Sequence, residues 1–375
     1  MIAPEQTAHQ APAPVEPPTP APSPMPPPEP PPPPPSPFAK WESLPDPDLL
    51  RWRITDLKVR IEGSMVARRV EQLYAELAAR GLSFRPPCYL STEWLTPDRI
   101  PAVGIAFYLA HPRLIKLERA MMVEAEGESE AECMKLLRHE TGHAINYAYR
   151  LYRRSRWREL FGNMSLPYDP HRYVMRPYSK QFVVHLKGNY AQAHPDEDFS
   201  ETFAVWLTPG LDWRKKYAGW GALRKLEYVD HVMRTIANHP PEVTRGPRLW
   251  DAAKIRSTLD NYYKNKRRVF GEGYLGFYDP MLLKLFTATP AASGIPRADK
   301  FLSSHRRTLI QSISDWSRLP KYSVQELISR LIHRSREMKL YIREEPNQTL
   351  FSIGISLTAQ LLAEQTDYRD IGNGA

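Results

Sequence analysis

The chain has 375 residues and a formal net charge of +9 at pH 7. Of its 38 prolines, 18 fall within residues 1–38, and the remaining 337 residues are enough for one large domain or two modest ones. Its two cysteines, Cys88 and Cys133, exclude a disulfide framework and a cysteine-based zinc site. A reducing, cytoplasmic location is therefore predicted. No apolar run approaches the roughly 20 residues that cross a bilayer and no secretory signal pattern is visible, so no membrane partner is expected.

The N-terminal segment 1–38 is predicted to be a disordered tail. It contains the proline run 31–35, and proline lacks the amide donor that helices and sheets require. A spacer is the interpretation that we favour, and a polyproline II ligand for an aromatic groove of a partner protein is the alternative.

Residues 39–270 are predicted to form an α+β domain. Alternating apolar residues in 49–61 indicate a half-buried strand, and the helical spacing of 66–80 ends at Gly81, a typical helix-terminating residue. The apolar runs 103–109 and 114–117 are interpreted as further strands.

Residues 271–375 are predicted to be a helical C-terminal extension. Helical patterns are visible in residues 220–237, 250–268, 305–316, 323–341 and 350–365. The glycines between 271 and 276 mark a plausible joint. The C-terminal portion is therefore expected to be mostly helical.

The sequence CMKLLRHETGHAINYAYRLY, residues 133–152, contains His139, Glu140 and His143 in the order H-E-x-x-H. Residues four apart lie on one face of a helix, so both imidazoles can bind one metal ion beside Glu140. Ser129 and Glu132 match a capping box, which independently predicts a helix beginning there. The pattern indicates a zinc site with one ion per chain, although manganese or another divalent ion fits the same ligands.

A site of this kind needs a third protein ligand. The sequence HPDEDFSETFAVWL, residues 194–207, predicts a largely apolar helix with an acidic first turn. Glu201 is predicted to be the third ligand. An unpaired carboxylate on a buried helix is very costly, and a metal ion would neutralise its charge. Asp198, on the same face one turn earlier, is the alternative ligand or an orienting partner of an imidazole.

The sequences RHETGHAINYAYRL and NYAQAHPDEDFSETFAVWL resemble the two metal-binding segments of the bacterial putative zinc-binding metallopeptidase family, a gluzincin-like group. The upstream YLSTEWLTPDRIPAVGIAFYLAHPRL is similar to the segment before the active-site helix, so the likeness covers roughly residues 45–270. The resemblance implies a zincin-like core with a small mixed sheet. It also implies His139, His143 and Glu201 as zinc ligands and Glu140 as the catalytic glutamate.

These residues predict a zinc-dependent peptidase that hydrolyses peptide bonds in a peptide or protein substrate. A metal-bound water would be activated by Glu140 as general base. Tyr190 is the first candidate for stabilising the oxyanion, and Tyr178, His185 and His194 are alternatives.

Two other functions are considered. A catalytically silent, zinc-stabilised interaction module recruited through the Pro-rich tail is the main alternative, although such a module does not need Glu140. Five arginines between 150 and 158 could attract an acidic substrate or nucleic acid, but such a run is more often a solvated face, so a nucleic-acid partner is not expected.

Overall fold

The computed structural model describes residues 38–168, 176, 178–271, 279–290, 294–343 and 345–367. The predicted tail therefore lies, apart from residue 38, outside the described residues. Within these ranges, none of the helices is both long enough and apolar enough to span a bilayer.

The described residues form a helical protein with two small sheets. The helices are α1 (Asp46–Leu49), α2 (Met65–Ala79), α3 (Pro112–Met122), α4 (Glu130–Ala148), α5 (Ser155–Phe161), α6 (Pro195–Leu207), α7 (Trp213–Lys216), α8 (Ala222–Ile236), α9 (Leu259–Gly271), α10 (Asp279–Leu285), α11 (Ala298–Ser304), α12 (Arg306–Ser317), α13 (Lys321–Glu337) and α14 (Pro346–Asp367). Strands β1 (Cys88–Ser91) and β2 (Val103–Ala106) pair in parallel, with Cys88 opposite Val103, and β3 (Phe286–Thr287) pairs antiparallel with β4 (Tyr341–Ile342). The predicted α+β class is confirmed.

The strand predicted at residues 49–61 is wrong. The segment contains the end of α1 and a 3₁₀ turn, Ile54–Leu57, that buries both terminal side chains. Its backbone bonds to the chain before α9 instead of to a sheet, since the Ile54 amide donates to the Ser257 carbonyl at 3.0 Å. An alternating apolar pattern can therefore also arise from a turn packed on one side.

The strand predicted at residues 114–117 is also wrong, because these residues belong to α3. His111 caps this helix by accepting a hydrogen bond from the Arg113 amide, and Pro112 occupies its first turn, where a missing amide costs nothing. The pair His111-Pro112 thus marks a helix start and not a break between strands. The run 103–109 is a strand only as far as Ala106, and β1 was not predicted.

The two sequence segments that were predicted to bind metal form α4 and α6. The two helices cross in direct contact at Gly142 and Ser200. A Cβ atom added at Gly142 would lie 2.7 Å from the Ser200 Cα and 3.0 Å from its carbonyl oxygen. Only glycine allows this approach of the two backbones. The crossing places residues of α6 on both sides of Ser200 opposite the two histidines of α4.

Buried ion pairs join α4 and α6 to the helices behind them. Arg138 of α4 donates two hydrogen bonds, both 2.7 Å, to the Glu76 carboxylate of α2. Lys225 of α8 donates to Asp198 of α6 at 2.5 Å. Because each buried charge has an opposite partner, these contacts fix the orientation of both helices without leaving a charge unpaired.

The buried apolar side chains of the described residues fall into two clusters. One extends from Trp41 to Tyr263 and includes α4 and α6, and the other extends from Leu282 to Leu361. The second cluster contains α12, which nevertheless packs against the 3₁₀ turn Lys187–Gln192 before α6. The domain boundary between residues 270 and 271 stays a prediction.

Candidate metal centre

The two histidines of the H-E-x-x-H sequence lie on the buried face of α4. Ser129 accepts a hydrogen bond from the Glu132 amide and begins the helix as predicted. Residues His139 and His143 are then one turn apart, with their rings 4.8 Å apart between centroids. Their Nε2 atoms lie 3.1 Å from each other, so both imidazoles point to the same place.

The third member of this group is Glu197, in the first turn of α6. Its Oε2 atom lies 3.0 Å from Nε2 of His139 and 3.2 Å from Nε2 of His143. All three side chains are buried, and their ligand atoms are within 4.8 Å of one another. The group therefore offers two imidazole nitrogens and one carboxylate oxygen in a solvent-excluded position.

Carboxylates from α6 hold the outer nitrogen of each ring. Glu201 lies 2.8 Å from Nδ1 of His139, and Asp196 lies 2.8 Å from Nδ1 of His143. A carboxylate only accepts, so in the neutral imidazoles Nδ1 carries the proton and Nε2 carries the lone pair. Both lone pairs and the Glu197 oxygen then converge, an arrangement that either a metal ion or protons on the imidazoles would stabilise.

The donor set fits zinc. Zinc bonds of about 2.0–2.1 Å at a tetrahedral angle separate neighbouring ligand atoms by about 3.3 Å. The three separations in this group, 3.0, 3.1 and 3.2 Å, are close to that value. Histidine and carboxylate are also ordinary zinc ligands, and three of them leave one position of a tetrahedron for another molecule.

The structure does not place Glu201 or Asp198 in this group. Glu201 lies one turn further along α6 than Glu197, where its carboxylate binds His139 and accepts from the Leu186 amide at 2.8 Å. Asp198 points to α8 and pairs with Lys225, and burial raises its pKa to about 7 despite that cation. The carboxylate that meets both histidines is Glu197, which sequence analysis did not single out.

Glu140 lies beside the histidine pair, where Thr96 holds it. The Thr96 hydroxyl donates to Oε2 of Glu140 at 2.8 Å and contacts the Glu140 carbonyl at 3.0 Å. Burial raises the pKa of Glu140 above its usual range, although the two histidines and Thr96 oppose this effect. The carboxyl is therefore buried, fixed in orientation and placed beside the histidines, where a proton acceptor would be needed.

Tyr190, predicted as the oxyanion residue, lies next to the centre, with its ring centroid 5.7 Å from that of His139. Its hydroxyl is 2.5 Å from that of Tyr168. The alternatives are placed differently: Tyr178 is 95% exposed, the His185 ring contacts the Lys135 carbonyl, and His194 caps α6. Sequence analysis did not identify Tyr168.

The carboxylates strongly affect the titration of the histidines in the metal-free protein. Burial alone would lower the pKa of His139, but hydrogen bonds to Glu197 and Glu201 outweigh it and raise the pKa from 6.5 to about 10. Burial would also lower the pKa of His143, but the charges of Asp196 and Glu197 and hydrogen bonds to them outweigh burial. They raise the pKa of His143 well above its usual value. For Glu197, the imidazoles outweigh burial and lower the pKa. Without a metal ion, protons therefore occupy the centre.

We expect the free energy of unfolding to fall with rising pH in the metal-free protein and to change much less in the zinc-loaded protein. A folded-state pKa of about 10 for His139 stabilises the metal-free fold fully below pH 6.5, and this stabilisation is lost as pH rises towards 10. The loss is roughly a few kcal/mol. Zinc competes with those protons, so its affinity rises over the same interval. Urea unfolding at several pH values, with and without saturating zinc, measures both slopes. If the free energy of unfolding changed equally with pH in the presence and absence of zinc, this expectation would be contradicted.

The site is thus a buried group of two histidines and one carboxylate on two crossing helices, with ligand atoms close enough together to hold a metal ion. Residues 116–215 match the sequence model of a family described as putative zinc-binding metallo-peptidase. This match confirms the predicted family resemblance, over a narrower range than residues 45–270, and it includes α4 and α6 completely. No curated protein and no solved structure matches the chain.

Proposed function

We propose that the protein is a zinc-dependent peptidase with one zinc ion per chain, held by His139, His143 and Glu197. The observation that carries the proposal is the position of Glu140. A structural zinc site has no use for a fourth carboxyl beside its ligands, whereas a hydrolytic site needs a proton acceptor there. The family match supports the same class of enzyme.

Zinc, when bound, would act as a Lewis acid and lower the pKa of a water molecule in the remaining position. The residues of the chain supply the proton transfer. Thr96 fixes Oε2 of Glu140, so Oε1 is the oxygen left to accept a proton and later release it to the amine of the cleaved peptide. We assign the role of stabilising negative charge on the substrate oxygen to Tyr190, whose ring lies near His139.

The chain beside β2 supports a peptide as the substrate. Leu95 and Gly104 exchange two backbone hydrogen bonds, of 3.2 and 2.8 Å, in an antiparallel bridge. In such a pair the backbone groups of the flanking residues, Trp94 and Thr96, point away from β2. The Thr96 side chain contacts Glu140, so the backbone edge formed by Trp94 and Thr96 runs past the proposed metal site. An extended peptide substrate could form backbone hydrogen bonds with this edge.

Glu140→Gln is expected to retain zinc and to lose peptide hydrolysis by at least about 100-fold. Glutamine keeps the size of the side chain but cannot accept a proton from water at neutral pH. Wild type and variant, each loaded with zinc, are incubated with a library of unstructured peptides, and new termini are identified by mass spectrometry. Zinc content per chain is measured on the same samples.

Three outcomes separate the candidate functions. Cleavage by wild type alone, with equal zinc in both proteins, supports the peptidase. Equal cleavage by both proteins would show that Glu140 is not the proton acceptor. Stoichiometric zinc without cleavage by either protein would favour the interaction module, for which the Pro-rich segment 1–38 is then the part to test for partners.

A cytoplasmic location is part of the same proposal and rests on the two unpaired cysteines.

A further inference from the structure

Each residue of the segment 94–96 is held by a different part of the protein. The three contacts are a backbone pair, a hydrogen bond from an indole and a hydrogen bond from a hydroxyl: Leu95 with Gly104, Trp94 with the Glu126 carbonyl, and Thr96 with Glu140. The residue before this segment, Glu93, is held by α9. This helix lies outside residues 116–215, so the family match does not account for it.

Tyr262 and Lys266 are one turn apart on α9, and both reach Glu93. The Tyr262 hydroxyl is 2.9 Å from Oε1 of Glu93 and 3.0 Å from the Thr92 carbonyl, two acceptors that share its one proton. The Lys266 ammonium donates to Oε2 of Glu93 at 3.0 Å and to the Tyr262 hydroxyl at 3.2 Å. Both oxygens of the Glu93 carboxylate and the carbonyl before it are therefore attached to α9.

Lys266 is a fixed point for these contacts. Its ammonium also donates to Glu118 of α3 at 2.9 Å, and the Lys266 and Glu118 side chains are only 9% and 2% exposed. Moving the ammonium away would leave a buried carboxylate unpaired, which is strongly unfavourable. Glu93 is 36% exposed, so it is the member of this group that reaches the surface beside the edge. The contact with α9 therefore gives the exposed edge a fixed position.

We propose that Lys266 is a positioning residue that acts through Glu93 to hold the edge of residues 94–96 ready to pair with a peptide substrate. The proposal rests on the peptidase function. An edge that is already in place costs less to order when an extended peptide binds, so the anchor increases the affinity for substrate. The effect falls mainly on KM, since Thr96 keeps its own contact with Glu140.

Glu93→Ala and Lys266→Met test the proposal, alone and combined. Glu93→Ala leaves Lys266 paired with Glu118, so it removes the link without leaving a buried charge unpaired. Lys264→Met is the matched control, because Lys264 is on the same helix with its side chain 68% exposed. kcat and KM are measured on a peptide that the zinc-loaded wild type cleaves. Amide hydrogen exchange of the metal-free proteins, followed by mass spectrometry, measures how firmly residues 92–96 are held.

We expect Glu93→Ala and Lys266→Met each to raise KM about 3- to 10-fold, with a smaller change in kcat and with faster exchange in residues 92–96. The double variant is expected to have the same KM as the single variants, because both changes break one link. Lys264→Met is expected to behave like wild type.

Additive effects on KM, or an unchanged KM in Glu93→Ala, would overturn the proposal and leave the peptidase function intact. If Lys266→Met did not fold, the KM and the exchange of Glu93→Ala would decide. Absence of cleavage by the wild type would reject the proposed function, and with it the binding of substrate at this edge.

Discussion

Glu197→Ala is expected to reduce zinc affinity by more than about 100-fold, because loss of a ligand must exceed the effect of losing an outer partner. Glu197 is the carboxylate that contacts both Nε2 atoms, at 3.0 and 3.2 Å. Glu201→Gln is expected to reduce affinity only about 10- to 100-fold, since Glu201 contacts Nδ1 of His139. Chelator competition and zinc content per chain measure both effects.

The comparison of these two variants identifies the third ligand. Glu227→Ala, an exposed carboxylate on α8, is the control for a general effect of charge and is expected to bind zinc like wild type. If Glu201→Gln lost the metal while Glu197→Ala retained most of its affinity, the ligand assignment would be reversed. Equal and small losses in both variants would place the metal elsewhere.

Gly142→Ala is expected to destabilise the metal-free protein by about 1–3 kcal/mol or more, and to weaken zinc binding as well. The added methyl group would lie 2.7 Å from the Ser200 Cα, and backbone atoms cannot move aside as a flexible side chain can. The helices α4 and α6 must then separate, which moves the histidines away from Glu197. Urea unfolding without metal measures the loss of stability.

Gly354→Ala in α14 is the matched control for this prediction. It makes the same change within a helix, but no heavy atom lies within 4 Å of the added Cβ. Alanine there is expected to stabilise the protein by up to about 1 kcal/mol, because alanine has the higher helix propensity. If both variants had the same unfolding free energy as wild type, the close crossing at Gly142 would not be a determinant of stability.

The helical part of the site could be predicted from sequence because its signals are local. His139 and His143 share a face through their spacing of four, and the hydroxyl of Ser129 marks where α4 begins. The start of α6 was equally visible in Pro195 and the acidic residues that follow it. These features depend on residues within one or two turns of each other.

The choice between Glu197 and Glu201 could not be made in that way. The two residues are one turn apart on the same face of α6, so helical periodicity treats them alike. What distinguishes them is the point along α6 at which this helix crosses α4, and the contact of Gly142 with Ser200 sets this point. The glycine within the H-E-x-x-H sequence was a signal for a close approach, but its partner lies on another helix.

Local patterns also misled the assignment of strands. At 114–117 a short apolar run was compatible with a strand or with a buried helix, and only the capping contact of His111 distinguishes them. Asp196 was missed for a related reason. An acidic residue in a first turn is expected to balance the helix dipole, which conceals that its carboxylate also binds His143.

The contact between Gly142 and Ser200 also bears on the order of folding and metal loading. In small zinc domains the chain stays unfolded until the ion arrives, because the ion makes the contacts that the core lacks. Here two backbones touch directly, and a large apolar cluster surrounds them. The ligands can therefore come together before any ion is present. Zinc would then bind to a protein that has already folded. If zinc were scarce, the molecules without zinc would be folded and inactive and not unfolded.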